Sequence, residues 1–199
     1  MNHKDDFIKL LRSTNRAGID NVINWLELSG FFTAPASTVF HGNTEGGLLE
    51  HSYQVALVAN DLREAFIKRK PELENRITRE SVIITALLHD VCKADIYVKE
   101  TKYRKNEHGG WDTYDAYSAD YSKTDIPLGH GEKSVIRLLR LGLEMTEDEM
   151  MAIRWHMGAW NMPMQDWEAK SNLNAARDKS PLVSILLAAD DLTSHVIGV

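Results

Sequence analysis

Cys92 is the only cysteine in this chain of 199 residues. One thiol closes no intrachain disulfide and builds no cysteine-rich zinc site, so neither kind of scaffold is open to it. That usage fits a reducing cytoplasm, where the chain is expected to reside. Long apolar runs are missing too, none approaching the roughly 20 residues that cross a bilayer. The opening residues, MNHKDDFIKLLRS, set acids among the apolar positions and lack a continuous apolar core with a small-residue cleavage site. An export signal is therefore not expected. Positive charge is also short: the formal net charge is -6 and the pI about 5.7. Duplex nucleic acid, which needs a basic surface to displace its counterions, is excluded as a partner. A small anionic ligand is not, because one metal or one local lysine holds a phosphate in an acidic protein.

What is present suits one globular domain spanning residues 1–199, with 43% hydrophobic and 26% charged residues, ordinary for a soluble protein. Asp5 to Arg12 and Asp20 to Leu28 carry apolar residues at helical spacing. Residues 31–47, rich in Pro, Ser, Thr and Gly, read as an irregular connection. Gly46 and Gly47 then break into a helix whose stripe runs Leu48, His51, Val55, Val58 or Ala59, Leu62, Phe66, so His51 points inward. SVIITALLHDVCK, from Ser81 to Lys93, is apolar nearly all round and predicts a buried central helix, with a buried strand as the alternative. Residues 96–121 turn polar and aromatic, alternating on both sides of NEHGG, and predict a β-hairpin or flap. Helices resume at Gly131 to Leu141, after a T-x-x-E capping box at Thr146 and Glu149 with Gly158 as stop, and at Leu182 to Val196 behind Ser180 and Pro181. The pattern is all-α with one small β excursion, and it contains no internal repeat.

Polar residues interrupt these apolar stripes. His89 and Asp90 close the central helix, His156 continues Ala152 and Ile153, and Asp190 continues Val183 and Leu186 or Leu187. A carboxylate cannot be buried unpaired without a cost of several kcal/mol, so it takes a cation or a metal as partner. Basic residues are few on these stripes, whereas imidazoles are several, and neutral imidazole with carboxylate is the ligand set of a divalent transition metal. Singly, each has a plainer reading: a hydrogen-bonded core histidine, Asp90 capping a loop, Asp190 pairing with His195. Jointly, an adjacent His-Asp pair, further inward histidines and a distant aspartate on separate helices point to a metal site.

In their order, GGLLEHS with His51, ALLHDVCK with His89 and Asp90, and LLAADDLTS with Asp190 resemble the HD-domain metal-dependent phosphohydrolase superfamily. PLGHGEKS and AIRWHMG resemble the segments that add two histidines in binuclear members, here His130 and His156. The likeness covers about residues 46–194. It implies an HD-type helical bundle with His51, His89, Asp90 and Asp190 around one metal, and Asp90 bridging to a second held by His130 and His156. The residue types themselves call for the same chemistry without fixing the number of ions. The stripe favours Asp190 over its neighbour Asp191.

A binuclear centre activates water and neutralises phosphoryl oxygens. The expected function is thus hydrolysis of a phosphomonoester or phosphodiester in a nucleotide or related metabolite, with Mn, Fe, Co, Ni, Zn or Mg as cofactor. Asp90 and Lys93 are the candidate catalytic residues, Lys93 having the alternative of a lysine at a helix C-terminus. Lys93, His41, Lys133 and Arg154 are candidate substrate contacts. His3 and His108 are expected at the surface, Cys92 in the core, and the rings of Tyr97, Tyr103, Trp111, Tyr114 and Tyr117 either stacking a base or packing the hairpin on the helices. Two rival functions remain open: a mixed-valence di-iron oxygenase, which similar HD ligand sets support, and a non-catalytic nucleotide-binding module.

Overall fold

The structure, a computed structural model, describes residues 3–162 and 165–199. Among these are eight α-helices: α1 (His3–Ser13), α2 (Ile19–Leu28), α3 (Gly47–Arg69), α4 (Arg79–Leu88), α5 (His130–Arg140), α6 (Glu147–Trp155), α7 (Trp167–Lys179) and α8 (Pro181–Leu192). One antiparallel hairpin, β1 (Tyr97–Lys105) and β2 (Trp111–Ala119), interrupts them. The fold is the expected helical bundle with a β excursion. No helix among the described residues is long and apolar enough to cross a membrane.

Helix α4 is the centre. Ser81 to Leu88 are all buried, which explains why its sequence shows no polar face. Helices α1, α3, α6 and α8 pack around it and against one another. The expected extension of α4 to Lys93 does not form. The helix stops at Leu88, His89 caps it, Asp90 leaves helical geometry, and a tighter 3₁₀ turn runs Val91–Asp95. Nothing in the sequence marks that break, since neither glycine nor proline lies between Ser81 and Lys93.

Two glycines set how closely segments approach. A Cβ on Gly47 would stand 2.0 Å from the carbonyl oxygen of Gly42, so the 31–47 connection folds tightly over the start of α3. A Cβ on Gly131 would stand 2.3 Å from the carbonyl oxygen of Arg154, so only glycine lets α5 lie this near α6. The capping box forms as expected: Thr146 accepts from the Glu149 amide, and Glu149 from the Thr146 amide at 2.9 Å. Pro181 occupies the first turn of α8, but Ser180 supplies no side-chain cap, and α8 passes after Leu192 into a wider π turn, Thr193–Ile197. The chain leaves α6 at Trp155, ahead of Gly158.

Helix α7 has no apolar stripe to announce it. It buries only Leu173 and Ala176 and is started by Asp166, whose carboxylate accepts from the Ala169 amide at 2.9 Å. The hairpin runs in register from Tyr97 opposite Ala119 to Lys105 opposite Trp111. Asn106 ties its turn by accepting from the amides of His108 and Gly110. Its main packing is between its own strands, so Tyr103, Trp111 and Tyr114 are exposed rather than packed on the helices. His3, expected at the surface, is half-buried: it bonds Glu50 and stacks on Tyr53 at 4.7 Å.

Candidate metal centre

Three helix ends and two helix faces converge on one cluster. His51 comes from the second turn of α3, His89 from the C-cap of α4 and Asp90 from the residue after it. His130 begins α5, His156 caps α6, and Asp190 lies in the last turn of α8. Asp90 is 1% exposed and His51, His89 and His156 are 2% or less. Buried ionisable groups at this density require mutual neutralisation.

The two oxygens of Asp90 face opposite ways. Oδ2 lies 3.2 Å from His89 Nε2, 3.9 Å from His51 Nε2 and 2.6 Å from Lys93 Nζ. Oδ1 lies 2.9 Å from His130 Nε2 and 3.4 Å from His156 Nε2. Asp190 Oδ1 completes the first side, 3.2 Å from His51 Nε2 and 4.0 Å from His89 Nε2. Asp191 turns out to solvent towards His195, so of the two adjacent aspartates it is Asp190 that faces the histidines.

Each buried imidazole is aimed by a main-chain oxygen on its far nitrogen. His89 Nδ1 meets Ala86 O at 2.8 Å, His156 Nδ1 meets Ile153 O at 2.7 Å, and His51 Nδ1 meets Val199 O at 2.9 Å. With Nδ1–H donating, Nε2 carries a free lone pair pointing inward, the tautomer that ligates metal. The Nε2 atoms of His51, His89 and His156 are buried and make no hydrogen bond. Buried donor atoms of this kind ask for a ligand. The residues therefore fit a divalent transition metal, and three overlapping sets could hold one: His51, His89, Asp190; His89, Asp90, His156; and Asp90, Cys92, His130.

Electrostatics follows from burial against charge. Burial would raise the Asp90 carboxyl, but Lys93 and the histidines outweigh it and hold Asp90 far below the usual carboxylate range. Asp190 is held low in the same way by His51 and its neighbours. Burial opposes protonation of His89, yet Asp90 and Asp190 raise it. Burial likewise opposes protonation of His130, but Cys92 and Asp90 take it up to about 10. His156 is lowered, burial being the largest cause.

The remaining candidates fall in different places. Lys93 is buried on Asp90. The His41 ring lies 5.2 Å from that of His51, with Nε2 3.2 Å from Ser194 Oγ, and burial lowers its pKa to about 4. Lys133 is buried but aimed elsewhere, at Asp95, Thr124 and the Cys92 carbonyl. Arg154 is paired with Glu132 at 2.5 Å and lies over the Trp155 ring. The structure thus brings Lys93 and His41 to the cluster and leaves Lys133 and Arg154 committed to other partners. His108 is exposed in the hairpin turn. Sequence reasoning missed Ser194 and Val199, which touch the cluster only because the end of the chain folds back. A cavity of about 170 Å³ opens beside His130 and Cys92, walled by Ile96, Ile126 and Leu128, with Tyr121 at the rim.

The family model for the HD domain matches residues 48–194, which contain all six candidate ligands. The chain belongs to the HD-domain family. A protein of Methanocaldococcus jannaschii, dihydroneopterin 2',3'-cyclic phosphate phosphodiesterase, is 31% identical over 120 residues. That match takes in 58% of this chain and 41% of the relative, so the HD chain spans less than half of it. No solved structure matches.

Proposed function

We propose that this HD-domain chain is a single-domain, metal-dependent phosphohydrolase, cutting a phosphodiester or phosphomonoester of a nucleotide or related small metabolite. The observation that carries the reading is Asp90, whose two carboxylate oxygens face separate imidazole sets. A residue so placed would hold an ion on each side. His51, His89, Asp90 and Asp190 would hold the first ion, and Asp90, His130 and His156 the second. Metal at this site supplies an activated water near neutral pH and neutralises phosphoryl oxygens.

The chain's own residues do the rest. Lys93, buried on Asp90 Oδ2, keeps an ammonium at the edge of the cluster, where a phosphoryl oxygen is met by fixed positive charge. His41 stands beside His51 as a neutral imidazole at pH 7, able to accept a hydrogen bond from the substrate or the attacking water. The apolar walls of the cavity beside His130 receive the organic part of the ester. The cyclic phosphodiester of the M. jannaschii relative makes a 2',3'-cyclic phosphate the first substrate to try.

The test is metal analysis of the purified protein followed by a panel of phosphomonoesters, linear diesters and 2',3'-cyclic phosphates with each divalent ion. Turnover that needs metal and is lost in Asp90→Ala is expected. Tight nucleotide binding without turnover would identify a non-catalytic module instead. Substrate-dependent oxygen uptake by the iron-loaded protein would identify an oxygenase.

A further inference from the structure

Cys92 lies two residues beyond Asp90, and its main chain is clamped twice. Its amide donates to Ser134 Oγ at 3.2 Å, and its carbonyl accepts from Lys133 Nζ at 3.0 Å. Both partners come from the N-terminal end of α5, the helix that begins with His130. The clamp holds the sulfur against the side of Asp90 that His130 faces. The ligand atoms of Asp90, Cys92 and His130 all lie within 4.8 Å of one another. One ion with bonds of about 2.1 Å to nitrogen or oxygen and about 2.3 Å to sulfur spans about 4.4 Å between opposite ligands. The three atoms are therefore close enough for side-chain adjustment to bring them onto one ion. An independent sign that this region awaits a ligand is His156, whose Nε2 is buried without a hydrogen bond 3.4 Å from the same Asp90 oxygen. A packing role asks for none of this, because a small core residue needs no proximity to a carboxylate and an imidazole. The thiol also borders the cavity beside His130, so it is not sealed in hydrocarbon.

We infer that Cys92 is a thiolate ligand of the ion on the His130 side of Asp90, so that this half of the centre has a mixed sulfur, nitrogen and oxygen donor set. The inference rests on the metal-centre reading above. On binding, the sulfur lone pair goes to the ion and the thiol proton to water, with no change of oxidation state. A thiolate is a soft donor, so this half should prefer Fe(II), Co(II) or Zn(II) to Mg(II), which takes oxygen ligands.

Titration of the metal-free full chain with Co(II), followed by absorption, tests this. A sulfur-to-cobalt charge-transfer band in the near ultraviolet is expected to grow with the second equivalent and to be absent in Cys92→Ser. That variant is expected to keep the visible cobalt bands of the first ion and to bind the second at least about tenfold more weakly. The wild-type spectrum is decisive even if the variant does not fold. Cobalt bound without the band, the band arriving with the first equivalent, or the band persisting in Cys92→Ser each overturns the assignment of Cys92 while leaving the metal centre intact. No cobalt bound at all overturns both.

Discussion

Single residues here act through geometry that neighbours impose. Asp90 is useful because its two oxygens serve two sides, and Asp190 rather than Asp191 because one turns in and the other out. Asp190→Asn is expected to lower metal occupancy at least about tenfold, and Asp191→Asn to leave it unchanged, as read by metal analysis after dialysis. Glu149 shows the structural counterpart. Fully buried, it takes both Arg16 Nη atoms at 2.7 and 2.8 Å and the Ser81 hydroxyl at 2.7 Å. Glu149→Ala strands the partly buried Arg16, and denaturant melts should show a loss of about 3–5 kcal/mol. The histidines predict a pH dependence of the chelator-treated protein. His130, raised from 6.5 to about 10, contributes stability that is full below pH 6.5 and lost as pH rises through about 10. His41, lowered from 6.5 to about 4, contributes stability present above pH 6.5 and lost as pH falls through about 4. The thermal midpoint should therefore decline on both sides of about pH 6.5; a midpoint that rises steadily from pH 6.5 to 10 would contradict this.

Elements contribute ends more than faces. His89, His130 and His156 all sit at helix termini; at the two C-terminal ends the spare carbonyls of Ala86 and Ile153 aim His89 and His156. Close approach of α5 to α6 depends on Gly131. Gly131→Ala forces a methyl against the Arg154 carbonyl, which should push His130 away from His156. Calorimetric metal titration is expected to show the second ion weakened about tenfold or more with the first retained. Equal weakening of both ions would argue against this account. The hairpin illustrates the opposite case: its alternation and NEHGG turn were legible in the sequence because strand and turn chemistry are local. Helix α7 was not legible, because most of its surface faces water and little apolar pattern results.

Across the whole molecule, the cluster joins segments far apart in the chain: His51 in α3 is aimed by Val199, and α8 carries Asp190 back to α4. Metal bound there ties elements far apart in sequence and absent from the unfolded state. Saturating metal at about 100 Kd should stabilise the protein by about 2.7 kcal/mol, and a chelator should remove that gain, both read as a shift of the thermal midpoint. No shift with any divalent ion would remove the basis for a metal centre.

The helical class, the hairpin, the capping box and the six residues that meet in the cluster were legible in the sequence alone. Helical periodicity and buried polar residues are written into local order, and HD, GGLLEHS and LLAADDLTS are contiguous motifs. Tertiary structure alone decided where α4 ends, which aspartate of the 190–191 pair turns inward, and which candidates reach the cluster. It committed Lys133 to Asp95 and Arg154 to Glu132, and it brought Ser194, Val199 and Cys92 to the histidines. These outcomes depend on contacts between residues up to 153 positions apart. Such contacts are set by how closely helices pack, which no local pattern records.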